Sequence, residues 1–109
     1  MIAKDFRLKK ATDFSKTYKY GKSYNHPELY IKSLQTGYKT SKFAVVIPKK
    51  VTKLAVKRNR ARRRVYEILR TNQSNIISGY NIIVTLKSDL SHLSPKQLTD
   101  ILLQGLKKL

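Results

Sequence analysis

Cysteine and tryptophan are absent from this 109-residue sequence, and acidic residues are scarce, with 6 Asp and Glu against 24 Lys and Arg. The absence of cysteine excludes disulfide bonds and thiolate chemistry. The sequence contains no run of about 18 apolar residues, so it predicts no membrane-spanning helix. Its first ten residues, MIAKDFRLKK, also lack the apolar block of a secretory signal. We therefore expect a cytoplasmic protein.

Positive charge is what the sequence has in excess. The formal net charge is +18, and the cost of concentrating like charges in a folded chain suggests a polyanionic partner. Nucleic acid is the first candidate for that partner, and an anionic membrane surface is the second. Hydrophobic residues make up 40% of the chain, which is enough for a core, and the length suits a single domain over residues 1–109.

The first predicted helix lies in the segment ATDFSKTYKYGKS. Thr12 is expected to cap it, Asp13 to lie in its first turn, and Gly21 to end it with a positive φ. Phe14 and Tyr18 are four residues apart and therefore share a face of this helix.

Two strands are predicted next, at residues 28–34 and 42–48, joined by a hairpin-like turn that contains Gly37. The second strand is apolar on both faces, which predicts a central position in the sheet. A further short strand is expected near residues 22–24.

The second half of the chain predicts a helix over residues 51–71, a buried strand over residues 79–86 and a last helix that begins at Ser94 and Pro95. The apolar face of the last helix consists of Leu98, Ile101, Leu102, Leu106 and Leu109. The resulting fold class is α+β or α/β, a two-layer sandwich in which a mixed sheet of about four strands packs with three helices.

The helix over residues 51–71 combines an apolar stripe with a strongly basic face. At 100° per residue the stripe consists of Leu54, Ala61, Val65, Ile68 and Leu69. The opposite side carries Arg60, Arg63, Arg64 and Arg70, with Glu67 placed to pair with Arg63 or Arg64. Arg58 and Arg62 are expected to point into the seam between helix and sheet.

A solvated surface helix would mix acidic and basic residues, yet Glu67 is the only acid between Pro48 and Thr71. Arginine dominates over lysine on this helix, and its planar guanidinium group can bind a phosphate through two hydrogen bonds. The pattern therefore favours nucleic-acid binding over a solvated helix face.

Several motifs resemble those of the bacterial ribonuclease P protein subunit. They are Lys49 and Lys50, Ala55 and Val56, Arg58-Asn59-Arg60, Arg62 and Arg63, and Glu67. Upstream, Phe6-Arg7-Leu8, Asp13-Phe14 and Gly21-Lys22-Ser23 match the opening of that family. The resemblance extends over most of the chain.

This resemblance implies a protein that assists a catalytic RNA in removing the 5′ leader from precursor tRNA. It also implies a left-handed βαβ crossover that contains the basic helix. The residues implied to contact the catalytic RNA are Lys49, Lys50, Arg58, Asn59, Arg60, Arg62, Arg63, Arg64 and Tyr66. Phe14, Tyr18, Tyr30 and Lys32 are implied to line a cleft for the single-stranded leader. Tyr66 stands where the family usually has arginine, and its ring is expected to stack on a sugar or base.

The sequence offers no protein-borne catalytic or metal site. Its acids are scattered, and His26 and His92 are isolated from each other. We therefore expect the RNA to carry the chemistry and to hold most of the Mg²⁺ that the holoenzyme requires. Inserting about +18 of charge between two polyanions should lower that Mg²⁺ requirement.

Other classes of function stay open at this point. A ribosomal-type or other structural RNA-binding protein would share the charge and the fold. A helix-turn-helix DNA-binding protein is disfavoured by strands on both sides of the basic helix. A membrane-surface protein would place Trp, Phe or Leu beside the basic face, whereas this chain has no Trp and its apolar stripe is expected to pack in the core. A ribonuclease that acts without RNA is the enzyme-class alternative.

Overall fold

The computed structural model describes residues 7–37, 40–72 and 79–108. The helices are α1 (Ala11–Tyr20), α2 (Ala55–Thr71) and α3 (Pro95–Lys107). The strands are β1 (Lys22–Asn25), β2 (Leu29–Gln35), β3 (Lys42–Val46) and β4 (Tyr80–Leu86). These elements confirm the predicted set of three helices and about four strands, including the short first strand.

The strands form one mixed sheet in the order β1-β2-β4-β3, in which β4 is antiparallel to β2 and parallel to β3. The predicted hairpin between β2 and β3 is wrong, because β4 lies between these two strands. The chain reaches β4 from β3 through α2, so the basic helix forms the connection between two adjacent parallel strands.

β3 lies at the edge of the sheet, although its apolar residues had predicted a central position. Both of its faces are buried all the same: Phe43 and Val45 face the main core, and Ala44 packs with Leu8 on the other side. The outer edge is covered as well. The Leu8 N–H donates to the Phe43 carbonyl oxygen at 2.8 Å, and the Val45 N–H donates to the Tyr66 hydroxyl oxygen at 3.3 Å. This cover explains how an edge strand can be apolar on both faces.

The main core lies between one face of the sheet and helices α2 and α3. It contains Leu29, Ile31, Phe43, Val45, Ile82, Val84 and Leu86 from the strands, and Ala61, Val65, Leu69, Leu98, Leu102 and Leu106 from the two helices. On the second face a smaller cluster joins Leu8, Ala44 and Ile83 with the partly buried Phe14 of α1. The sheet with α2 and α3 thus gives the expected two layers, and α1 lies on the second face of the sheet.

The ends of α1 differ from the prediction. Lys10 is the N-cap residue and makes no side-chain capping bond, so Thr12 is not the cap. Gly21 has φ −76° and ψ 161°, which is extended backbone and not the predicted positive φ. Glycine is needed there for space instead, because a Cβ would lie 2.4 Å from the carbonyl oxygen of Thr17 and 2.5 Å from that of Ser33.

The basic helix starts later than predicted. It begins at Ala55 with Leu54 as N-cap, because residues 49–51 form a turn in which the Val51 N–H donates to the Pro48 carbonyl oxygen at 2.9 Å. Leu54 is 59% exposed and does not belong to the apolar stripe, whose buried part begins at Ala61.

The start of α3 agrees with the prediction. The Ser94 hydroxyl accepts from the Gln97 N–H at 3.1 Å, while the Gln97 side chain accepts from the Ser94 N–H at 2.9 Å. Pro95 occupies the first helical turn, as predicted. Leu109, the last residue of the predicted apolar face, lies outside the described residues.

Candidate nucleic-acid interface

The outward face of α2 carries a row of exposed cations. Lys57, Arg60 and Arg63 are exposed, and Arg60 and Arg63 line an open groove of about 470 Å³ together with Arg64 and Glu67. Burial of Ala61, Val65 and Leu69 anchors the helix to the sheet, so this row of cations is held by packing and not by the helix alone. A rigid row of guanidinium groups suits the phosphates of a structured polyanion.

Arg58 and Arg62 are each partly buried. Arg58 donates from Nη1 to the carbonyl oxygens of Thr52 and Lys53, both at 2.9 Å, and so ties α2 to the loop before it. Arg62 donates to Asn59 Oδ1 at 3.0 Å. Lys49 and Lys50, in the turn that precedes this loop, are exposed.

Arg64 contacts the protein itself. Its Nη1 donates to the Leu90 carbonyl oxygen at 2.6 Å and its Nη2 to the Leu93 carbonyl oxygen at 2.7 Å. These bonds join α2 to the loop between β4 and α3. The geometry therefore gives Arg64 a structural role that the sequence pattern did not reveal.

Tyr66 must be removed from the predicted RNA-contact set. Its side chain is 7% exposed and belongs to the main core. Its hydroxyl oxygen accepts from the Val45 N–H, and the Arg7 guanidinium lies 5.5 Å from its ring centroid. The ring is therefore not free to stack on a base. The helical wheel missed this role because the partner of Tyr66 lies on an edge strand whose position the sequence does not reveal.

Glu67 pairs with Arg70 and not with Arg63 or Arg64 as predicted. This pair is three residues apart on the helix surface, and its hydrogen bond lowers the pKa of Glu67 while raising that of Arg70. The acid of α2 is thus neutralised by the last arginine of the helix, and Arg60 and Arg63 stay available for an external anion.

The predicted cleft residues lie on α1 and on the second face of the sheet. Phe14 is half-buried against Leu8, Ala44 and Ile83, whereas Tyr18 is 44% exposed. Tyr30 and Lys32 alternate with buried residues of β2 and are each partly exposed.

Ser23 of β1 joins Tyr30 and Lys32 and was missed by sequence reasoning. Its hydroxyl lies 3.0 Å from the Tyr30 hydroxyl and accepts from Lys32 Nζ at 2.8 Å. The hydrogen bond with Ser23, together with the nearby Lys32, lowers the pKa of Tyr30. Only the pairing of Ser23 with Lys32 in the β1–β2 register could have revealed this cluster.

A cavity of about 460 Å³ extends from Tyr30 to the loop before α2. Its lining residues are Tyr30, Pro48, Lys50, Val51, Thr85, Leu86 and Lys87. It brings together Tyr30 and Lys50, which the sequence had assigned to different sites, while Phe14 and Tyr18 are not among its lining residues. The cavity therefore links the surface of β2 to the loop that leads into the basic helix.

The two histidines are both partners of Glu28. His92 Nε2 lies 2.9 Å from Glu28 Oε1, the Ser88 hydroxyl donates to Glu28 Oε2 at 2.9 Å, and the Glu28 N–H donates to His26 Nδ1 at 3.0 Å. The hydrogen bond from His92 lowers the pKa of Glu28.

Residues 7–37, 40–72 and 79–108 contain no group of three or more His, Asp or Glu side chains that could hold a metal ion. Within the same ranges no helix has the length and hydropathy needed to cross a bilayer.

Known proteins resemble this chain over nearly its whole length. Residues 2–109 match the family model for ribonuclease P. The ribonuclease P protein component of Pseudanabaena sp. (strain PCC 6903) is 35% identical over 109 residues, covering 99% of this chain and 94% of the relative.

Two solved structures share the fold. The RNase P protein from Thermotoga maritima has a TM-score of 0.85 at 29% identity, covering 94% of this chain and 96% of that one. A Staphylococcus aureus RNase P protein, described as a mutant with defective mRNA degradation activity, has a TM-score of 0.86 at 25% identity, covering 96% and 88%.

Proposed function

The chain belongs to the bacterial ribonuclease P protein family and is a subunit of ribonuclease P, the endoribonuclease of tRNA 5′ processing, and from this we propose that two of its surfaces bind different RNA segments. The exposed basic face of α2, with Lys49 and Lys50, binds the catalytic RNA. The surface around Tyr30, Lys32 and α1 binds the single-stranded 5′ leader of precursor tRNA.

The basic face of α2 supports the first assignment. Lys57, Arg60 and Arg63 are exposed, while Glu67, the acid of this helix, is paired with Arg70. An external anion therefore meets cations that are not already neutralised. Phosphate contacts of this kind are sequence-independent and strongly salt-dependent.

The second face of the sheet supports the leader assignment, and the observation that carries it is the cavity between Tyr30 and Lys50. An aromatic ring beside basic side chains can stack on a base of any sequence while a cation binds the backbone. Leaders of different tRNA precursors differ in sequence, so a sequence-tolerant site fits the task. The same cavity reaches the loop before α2, so a leader bound in it would lie next to a catalytic RNA bound by α2.

We further propose that the protein forms one domain over residues 1–109, acts in the cytoplasm, and contributes charge instead of cleavage chemistry. Catalytic RNA and precursor tRNA repel each other, and a protein of +18 at their junction reduces that repulsion. The Mg²⁺ that the reaction requires is then held mainly by RNA, and less of it is needed in bulk solution.

Cleavage of a precursor tRNA at low Mg²⁺ tests the proposal. A bacterial ribonuclease P RNA is incubated with and without this protein, beside RNA-alone and protein-alone lanes. We expect efficient leader removal only with both components. Because one solved relative is described in terms of mRNA degradation, the protein-alone lanes also include an mRNA. Cleavage by the protein alone would contradict the assignment of the chemistry to RNA.

Binding measurements separate the two surfaces. Tyr30→Ala with Lys32→Ala should weaken binding of precursor tRNA by about 1–3 kcal/mol per lost base contact and leave mature tRNA unaffected. Arg60→Ala with Arg63→Ala should weaken binding of the catalytic RNA instead. Lys96→Ala, an exposed lysine on α3, is the matched control. Equal loss of precursor and mature tRNA binding in the first variant would refute the leader site and favour a general structural RNA-binding protein.

A further inference from the structure

A small cavity lies between α2 and the loop that connects β4 to α3. Its volume is about 60 Å³, and its lining residues are Lys57, Arg60, Arg64, Asp89 and Ser91. The two bonds from Arg64 to the carbonyl oxygens of Leu90 and Leu93 hold the loop against the helix. Leu90 is fully buried with a positive φ of 63°, so the loop conformation is set by packing.

Asp89 is oriented within this cavity by its neighbour Ser91. Its Oδ1 accepts from the Ser91 N–H at 3.0 Å and from the Ser91 hydroxyl at 2.7 Å. Its Oδ2 has no hydrogen-bond donor among the described residues, and Asp89 forms no ion pair with them. The Ser91 N–H and then the Ser91 hydroxyl lower the pKa of Asp89, with a smaller contribution from Lys57. Asp89 thus lines the cavity as an ionised carboxylate that has one oxygen available as an acceptor.

The position of this carboxylate does not suit phosphate binding. Two other acids of the protein already have partners among the side chains: Glu67 is paired with Arg70, and Glu28 is bonded to His92 and Ser88. Asp89 instead shares a cavity with Lys57 and Arg60 of the basic row. A carboxylate at this point repels a phosphate, but it accepts hydrogen bonds from the exocyclic amino groups of nucleobases.

We propose that this cavity binds the amino-bearing edge of an unpaired nucleobase in the RNA that α2 contacts. Asp89 Oδ2 accepts from the amino group, and Arg60 holds the adjoining ring or phosphate. A volume of about 60 Å³ is that of roughly two water molecules, which suits the edge of a base and not a whole nucleotide. The groove of about 470 Å³ on α2 shares Arg60 and Arg64 with the cavity and has room for the remainder.

This inference rests on the proposed function only in that α2 lies against RNA. It also predicts a preference between two bases, which charge alone would not produce. Cytosine carries an N4 amino donor where uracil carries an O4 acceptor. The cavity should therefore favour cytidine over uridine. RNA recognition of this type addresses unpaired bases, whose Watson–Crick edges are accessible.

Fluorescence anisotropy with labelled octamers of cytidylate and uridylate, at one fixed salt concentration, tests this site. The wild-type protein is compared with Asp89→Asn, whose Oδ1 can still accept from Ser91 while its amide nitrogen donates where Oδ2 accepted. The matched control is Asp100→Asn, an exposed acid on α3 with the same charge change. Thermal unfolding of each variant verifies that it is folded.

We expect the wild-type protein to prefer cytidylate, and we expect Asp89→Asn to reduce the cytidylate-to-uridylate affinity ratio by about tenfold, the typical effect of a hydrogen bond to a charged group. Asp100→Asn should leave the ratio unchanged. Equal tightening of both octamers by the two variants would show that Asp89 only offsets positive charge, and would overturn the inference. If the wild-type protein bound neither octamer, the inference would be overturned, and so would the expectation that the free protein binds RNA.

Discussion

Arg63 and Arg64 are adjacent arginines of α2 that the structure assigns to different tasks, and substituting each by methionine should separate stability from RNA binding. Arg63 is exposed, and its guanidinium group makes no hydrogen bond with the described residues. Arg64 donates to two carbonyl oxygens of the loop before α3, at 2.6 and 2.7 Å. Both substitutions remove one positive charge and introduce the same unbranched apolar side chain, so the two variants differ in these bonds and in the partial burial of Arg64.

The expected stability change follows from the two hydrogen bonds of Arg64. Bonds from a charged donor contribute about 1.5–3 kcal/mol each when buried, and the partial exposure of Arg64 argues for the low end of that range. Arg64→Met should therefore lower the free energy of unfolding by about 2–3 kcal/mol, which corresponds to a fall of roughly 10 °C or more in Tm. Arg63→Met should change it by less than about 0.5 kcal/mol, as is usual for exposed positions.

The RNA measurements should show the opposite order. If Arg63 contacts a phosphate, Arg63→Met should weaken binding of the catalytic RNA and reduce the slope of log K against log salt by about 0.7–0.9. Arg64→Met, measured well below its Tm, should change that slope little. The assays are urea or thermal unfolding by circular dichroism and a salt titration of RNA affinity. Equal destabilisation by both variants, or loss of RNA binding in Arg64→Met without loss of stability, would refute the assignment.

Three further predictions concern single contacts. Gly21→Ala should destabilise the protein by about 1–3 kcal/mol in urea unfolding, because its Cβ would meet the backbone oxygens of Thr17 and Ser33; an unchanged midpoint would contradict the close approach. Tyr66→Phe should cost about 1–2 kcal/mol, because the buried Val45 N–H loses its acceptor, and should leave RNA affinity unchanged; weaker RNA binding by a stable variant would restore Tyr66 to the contact set. Glu28 has a folded-state pKa below its ordinary value of 4.5 because of its hydrogen bond with His92, so its contribution to stability is present above pH 4.5 and is lost as the pH falls through the lower folded-state value. Glu28→Gln should therefore flatten the acid side of a stability–pH curve, and an identical curve for the variant would exclude this pair as a source of pH dependence.

The elements themselves could be predicted from local sequence. The helix start at Ser94 and Pro95 and the apolar periodicity of α3 depend on residues within a few positions of each other. The predicted fold class is confirmed for the same reason. Errors were concentrated in connections: a hairpin was expected between β2 and β3, whereas β4 lies between them. Strand order depends on pairing across distant parts of the chain, which a local pattern does not encode.

The residues of the candidate interface were likewise predictable only in part. Helical periodicity predicted that Arg60 and Arg63 lie on the outer face of α2, and both side chains are exposed in the structure. The contact set implied by the family resemblance included Arg64 and Tyr66, but these two side chains interact with Leu90 and Val45, residues distant in sequence. Their roles were not predictable, because an arginine or a tyrosine on a helix has the same local signature whether its partner is the protein or RNA.

Net charge predicts a polyanionic partner for this protein, and helical periodicity predicts one basic helix packed against a sheet. Net charge and helical periodicity are properties of composition and short spacing, and they persist in any fold that the chain adopts. Which cations remain available depends instead on contacts between distant parts of the chain. The tertiary structure placed Arg64 on backbone carbonyls, Tyr66 on the edge of β3 and Asp89 beside Lys57 and Arg60. These contacts arise because folding brings together groups that are far apart in the chain, and a local sequence pattern does not encode such contacts.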